Sequence, residues 1–280
     1  MSVMTDLPRI HISGRSGLGA DLKEAGSDFA GAAHRWRLWM ALATHDITSR
    51  YRGSLLGPFW ITATTAAMIG GVGLMYSQLL NLSLAEYIPW LATGIVFWTF
   101  FSQVITEGCD AFIASGAIIK QTAIPMMSFI ARMVARNLIN FAHQLLIIVA
   151  VIVYFGLWKV ANPLLCLAGF ALVLINLCWI ALASGIISAR FRDVPQIVTA
   201  VVQVAVFITP VFWRPEAIKA HRFVLNGNPF YHMLEVTRRP LLGEPVALHS
   251  YLLLIAMAVV GWIFAYVLFA RTRRRVVHYL

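Results

Sequence analysis

Long stretches without a single charge alternate along this chain with short segments where charges crowd together. Six stretches contain no Asp, Glu, Lys or Arg: Gly57–Leu80, Tyr87–Thr106, Leu138–Trp158, Val160–Ala189, Val194–Trp213 and Ser250–Ala270. Each is 20 to 30 residues long, and a helix of about 20 residues crosses a hydrocarbon core roughly 30 Å thick. The runs are continuously apolar rather than alternating, which predicts helices and not a barrel. The expected fold is therefore an all-α integral membrane protein with six transmembrane helices over residues 53–280, with Lys159 marking a tight turn between the third and fourth.

The intervening segments predict three further elements. Within residues 31–52, Trp36, Trp39, Met40, Ala43 and Ile47 recur at helical spacing among Arg35, Arg37, His45, Asp46 and Arg50. That pattern is an amphipathic helix lying on the inner membrane face. Residues 1–30 scatter seven charges and hold no apolar run long enough for a leader's core, so they read as a disordered cytoplasmic tail. In residues 107–137, Ile118, Ile119 and Ile124 surround Lys120 and Gln121 before Pro125 stops the helix. Such an apolar helix needs a cover, either a soluble partner or the membrane itself. Residues 214–249 carry two short apolar patches split at Asn226–Pro229, too long for a turn and too apolar for a solvated loop. They predict paired re-entrant helices at the outer mouth.

Composition sharpens this picture. The chain has 280 residues, 60% apolar and 12% charged, where soluble domains have about 45–50% and about 25%. Mean hydropathy is +0.76. Lys and Arg number 22 against 12 Asp and Glu. With the N-terminus inside, sixteen of those 22 fall in inner segments, so both termini are expected in the cytoplasm. The basic excess is then a membrane-topology signal, and no nucleic-acid partner is expected.

Candidate chemistry is sparse. All twelve carboxylates lie outside the six runs, which weakens an ion-coupled transporter, and His143 within a span reads first as a packing residue. No carboxylate pair, Ser–His pair or metal-spaced cysteine pair stands out, and none of the four lysines lies in a Gly-Lys-Ser/Thr sequence that would wrap a phosphate. The spans are instead rich in rings: Phe59, Trp60, Trp90, Phe97, Trp98, Phe100, Phe101, Phe207, Phe212 and Trp213. These fit either an interfacial belt or a pore along which sugar C–H faces slide. Arg50 and Arg52, flanking Tyr51, lie where the amphipathic helix would meet a lipid phosphate.

Several motifs occur in order: RYRGSLLGPFW (Arg50–Trp60), EGCDAFI (Glu107–Ile113), IKQTAIP (Ile119–Pro125), RFRDVPQIV (Arg190–Val198), ITPVFW (Ile208–Trp213) and NPFYHMLEVTRRPLLGEP (Asn228–Pro245). From about Trp36 onward the chain resembles the permease of ABC-type polysaccharide exporters, which move O-antigen, capsular or teichoic-acid chains on a lipid carrier. The resemblance implies a homodimer in the bacterial cytoplasmic membrane, paired with two separate ATPase subunits. ATP and Mg would be bound by those subunits, leaving no cofactor in this chain. It implies that Ile118, Ile119, Lys120, Gln121, Ile124 and Pro125 form the coupling helix against the ATPase. Arg50, Tyr51 and Arg52 would meet a polyprenyl-pyrophosphate headgroup. The rings would line the glycan channel, and the segment holding Asn228, Pro229, Arg238 and Arg239 would be the outer gate. Two rivals stand beside this: an ABC exporter of a small hydrophobic drug, and a membrane-embedded transferase.

Overall fold

A computed structural model describes residues 17–79, 81–215 and 225–280. Every regular element among them is helical: α1 (Leu18–His34), α2 (Trp36–Arg50), α3 (Phe59–Leu79), α4 (Leu84–Ala114), α5 (Gly116–Gln121), α6 (Met127–Tyr154), α7 (Pro163–Arg190), α8 (Val194–Ile208), α9 (Pro229–Leu242) and α10 (Leu248–Tyr279). A 3₁₀ turn, Leu157–Lys159, joins α6 to α7 at the position that Lys159 marked.

Local sequence sets the boundaries. Ser83 opens α4 as a capping residue, its hydroxyl accepting from the Glu86 amide at 3.3 Å, with Glu86 three residues on. Asn162 and Asn228 cap α7 and α9 in the same way, each followed by a proline at the first helical position. Gly243 closes α9 at φ 71°, a left-handed conformation that glycine adopts without cost.

α4 is the axis of the bundle, 31 residues long and packed on α3, α6, α7, α8 and α9. It meets α7 at backbone distance. A Cβ added to Gly108 would come within 2.8 Å of the Ala181 Cα, and one added to Gly185 within 2.8 Å of the Gly108 carbonyl oxygen. Small residues let apolar helices approach this closely without a hydrophobic driving force between them. The two ends of the bundle differ in charge. One end gathers α1, α2, α5, the start of α6 and the last turns of α7 and α10, and with them most of the arginines. This basic end is opposite the end that carries α9.

Among the described residues, five helices are long and apolar enough to cross a membrane: α3, α4 with α5, α6, α7 and α10. The fifth charge-free run differs from expectation. α8 is only 15 residues, about 22 Å of helix. It ends because Thr209 turns to extended backbone before Pro210, which restricts its predecessor to that conformation and cannot continue a helix.

Two expectations at the N-terminal side need correction. Residues 1–16 of the expected tail lie outside the described residues, but 18–34 form α1, which docks Leu22, Ala25, Phe29 and Ala32, at helical spacing, toward α10 and α6. The expected amphipathic helix over 31–52 is divided at Arg35. The Trp39 indole donates back across this elbow to the Ala32 carbonyl at 3.0 Å, satisfying a group the break releases. Of the two patches expected in 214–249, α9 is one, and the other falls largely outside the described residues.

Candidate functional site

The ten rings do not act as one lining. Trp90, Phe97, Phe100 and Phe101 are at most 1% exposed. The three phenylalanines recur on one face of α4, and that face packs on Phe141 of α6 and Phe170 of α7. Phe100 lies 4.8 Å from Phe141 and 5.3 Å from Phe170, while Phe141 and Phe170 stack at 4.9 Å. These rings are the subunit's core, and the channel role expected of them is corrected accordingly. Trp90 is held in the same interior. Phe59 and Trp60 are half exposed at the start of α3, as belt residues would be, with Phe59 edge-on to His143 at 5.3 Å. Phe212 and Trp213 are half-buried after α8. Trp98 is largely buried, packed edge-on to Phe230 at 5.3 Å, and Phe207 is exposed; the two border a groove.

The groove measures about 540 Å³ and lies between α4 and α8, lined by Trp98, Ser102, Gln103 and Thr106 on one side and Thr199, Val202, Gln203, Val206 and Phe207 on the other. The helices run antiparallel, so hydroxyls and amides share the middle of the groove with Val202 and Val206, and the two rings close the end away from the basic end. Thr99, Ser102 and Thr106 donate to their own helix carbonyls at 2.7, 3.0 and 2.8 Å, which leaves their oxygens as acceptors. The Gln103 and Gln203 amides have no hydrogen-bond partner among the described residues. Placing an unpartnered amide in hydrocarbon costs about 4 kcal/mol or more, so these two amides call for water, a polar ligand or a polar group of another helix. The sequence carried a sign of it: Gln196, Thr199 and Gln203 recur at helical spacing within an otherwise apolar run.

At the basic end, a second polar site joins α2 to α4 and α6. Arg132 donates to both oxygens of Asp46, at 2.8 and 2.5 Å, and Arg136 bridges Asp46 at 3.0 Å and Glu107 at 2.6 Å. Asn137 adds a donor to Glu107 at 2.7 Å. Burial works against the Asp46 charge, but the Arg132 and Arg136 guanidiniums outweigh it and hold this carboxyl below the usual carboxylate range. Beside the network is a cavity of about 240 Å³ lined by Arg50, Glu107, Asp110, Ile118 and Arg132 among others. Arg50 is thus brought to a charged recess, with Tyr51 capping α2 behind it and Arg52 in solvent.

α5 follows α4 at this end. Its outward residues are Ala117, Lys120 and Gln121, continued by Thr122 and Ala123. Ile119 is 8% exposed and belongs to the subunit's own core, so the expectation that it faces a partner is corrected. A six-residue helix beside the C-terminal turn of α10 buries one of its two isoleucines there. Ile118, Ile124 and Pro125 are half-buried.

At the other end, Asn228 caps α9, and its amide donates to Thr209 Oγ1 at 2.9 Å. Pro229 is the first residue of the helix. Arg238 is fully buried and donates to the Pro210 carbonyl at 2.9 Å, while Arg239 pairs with Glu235 one turn earlier. α9 is therefore anchored to the loop that terminates α8.

Comparison with known proteins agrees with this arrangement. Residues 37–242, from the second residue of α2 to the last of α9, match the ABC-2 type transporter family. An O-antigen export system permease protein, RfbA of Klebsiella pneumoniae, is 21% identical over 203 residues, covering 70% of this chain and 77% of the relative. A protein of the same name from Myxococcus xanthus is 23% identical with the same coverage. Five membrane-length helices, a polar face between α4 and α8, and a match across almost every element of the bundle lead to one conclusion: the chain belongs to the ABC-2 type transporter family, as a multi-pass membrane permease.

Proposed function

We propose that this permease exports a lipid-linked polysaccharide, an O-antigen in the simplest case, across the bacterial cytoplasmic membrane. It works as a homodimer with two separate ATPase subunits that hold ATP and Mg. In this reading α8 serves as the fifth of six spans, both termini are cytoplasmic, and the basic end is the inner face. The observation that carries the proposal is the α4–α8 groove. Its free amides and hydroxyl oxygens offer hydrogen bonds to sugar hydroxyls at membrane depth, and the exposed Phe207 ring offers a flat face to a sugar ring beside Trp98. The relatives' names support the cargo class. Arg50 and Arg52 at the inner face would meet the carrier's pyrophosphate, and the exposed face of α5 would meet the ATPase.

The test is export of lipid-linked glycan in cells carrying Gln103→Leu, Gln203→Leu or both. The expected result is assembly at parent level with export reduced about thirtyfold in the double variant, since each of the two lost hydrogen bonds weakens the track by about 1 kcal/mol. Parent-level export in the double variant would sink the groove as the glycan path. A second reading, export of a small hydrophobic molecule, has one observation in its favour. An apolar recess of about 410 Å³ lies between α2 and α6, lined by Trp39, Met40, Ile130, Val134 and Leu138 among others. It predicts efflux that is insensitive to the glutamine changes and sensitive to Val134→Trp.

A further inference from the structure

The helix α1 touches three parts of the basic end at once, and Asp28 is where they meet. Its carboxylate, in a residue only 9% exposed, accepts from the Met126 amide at 3.0 Å and from the Met127 amide at 2.9 Å. Its Oδ2 lies 3.8 Å from Arg273 of α10. Those two amides open α6 directly after Pro125, where the chain leaves α5. The first amides of a helix have no partner within it, and no local side chain caps α6. A carboxylate from almost a hundred residues upstream does so instead, with the favourable sign for a helix N-terminus.

The surrounding contacts extend the joint on both sides. Toward α5, Gly31 faces the Pro125 ring, where an added Cβ would be 3.1 Å from Cγ and 3.8 Å from Cβ. Arg35 donates to the Ala123 carbonyl at 3.4 Å. Toward α10, Glu24 pairs with Arg273 and Arg274, and Tyr266 donates to the Leu22 carbonyl at 2.8 Å. Phe29 completes this side among Trp262, Tyr266 and Phe269, at 5.6 to 6.0 Å.

We propose that Asp28 is a positioning residue for ATP-driven transport: through it α1 straps residues 121–127 to the end of α10, so that movement imposed on α5 passes into α6 and α10 as one rigid piece. The proposal rests on the ATPase partnership stated above. Without the carboxylate the partner still docks on Lys120 and Gln121 and still turns over ATP. The movement is then absorbed in the uncapped stretch around Pro125 and does not reach the spans.

The experiment uses the full permease–ATPase complex in proteoliposomes, with ATP hydrolysis and exported glycan measured together. Asp28→Ala is expected to leave hydrolysis within about twofold of the parent and to lower glycan exported per ATP by about tenfold, the effect of losing a charge-assisted pair of hydrogen bonds. Asp28→Asn, which keeps one acceptor, is expected to fall between. An unchanged ratio in Asp28→Ala overturns the proposal, including the case where hydrolysis and export fall in proportion. If Asp28→Ala does not accumulate, the pair Gly31→Cys with Pro125→Cys decides, since the two Cβ positions lie within disulfide range. Oxidation is expected to leave export at the reduced rate, because the joined parts already move together, and arrest on oxidation overturns the proposal. A parent chain that recruits no ATPase and exports nothing shows instead that the proposed function is wrong, and this inference falls with it.

Discussion

The guanidinium of Arg238 lies 3.5 Å from the centre of the Trp90 ring, and both side chains are buried within the subunit. Arg214 approaches the same ring at 5.5 Å, and the Trp90 indole donates to the Trp213 carbonyl at 3.2 Å. One tryptophan of α4 thus holds α9 and the end of α8 together. A desolvated cation over an indole is worth about 2 kcal/mol, and Arg238 adds its hydrogen bond to Pro210. Arg238→Ala is expected to destabilise the detergent-solubilised protein by roughly 3 kcal/mol, since it strips a buried network of its cation. In a double-mutant cycle with Trp90→Leu, thermal unfolding is expected to show less than the sum of the single losses.

The rings of α4 and α8 separate by exposure. Phe100→Ala removes a core ring and is expected to cost about 3 kcal/mol or more in thermal stability. Phe207→Ala removes one that is 71% exposed and is expected to leave stability within about 0.5 kcal/mol while slowing glycan export. Equal loss of stability in both variants would return Phe207 to packing.

At α5, Lys120→Glu and Ile119→Asp are expected to fail differently. The lysine is exposed, so its reversal weakens capture of the ATPase in a pull-down while the permease unfolds at the parent temperature. The isoleucine is buried beside α10, and an aspartate there places an unpaired charge in the core at a cost of several kcal/mol. Loss of folded permease, and not only of the partner, is its signature.

Asp46 gives a pH test. Its carboxyl titrates below its ordinary value of 3.8 in the folded chain, so its contribution is fully present above that value and is lost as pH falls through the folded one. Asp46→Asn is expected to lower stability by roughly 2 kcal/mol at pH 7, with the gap to the parent closing under strongly acidic conditions. A gap that persists at low pH would mean that shape, and not charge, holds α2 to α6.

Five of the six charge-free runs became helices within a few residues of their expected positions or extended beyond them, because lipid demands length and the absence of charge above all else. α8 fell short for a local reason that was present in the sequence, Pro210. The rings were harder to read. Phe97, Phe100 and Phe101 share a face by spacing, but spacing does not say what lies opposite, and here it is Phe141 and Phe170. The polar stripe on α8 was readable in principle, yet a run of apolar residues hides three amides and hydroxyls among many rings. α1 had a modest signal, Leu18, Leu22, Ala25, Phe29 and Ala32 at helical spacing, but the role of Asp28 had none, since every partner of that carboxylate lies on α6 and α10.

The short α8 changes what the bilayer must do beside it. A helix of about 22 Å leaves roughly 8 Å of a 30 Å hydrocarbon layer without its own helical wall, and the loop at 209–213 and α9 stand there instead. An insulator thinned in one place sets the leak of the whole membrane, because the cost of carrying an ion across falls with the thickness that remains. In the export reading, the Trp98 and Phe207 rings close the groove of free amides on the side of that thin spot. Pro210 stops α8, and Arg238, bonded to the Pro210 carbonyl and seated on the Trp90 ring, pins that stopping point to α4 and α9, so the depth of wall left to loop and α9 is a fixed dimension of the subunit.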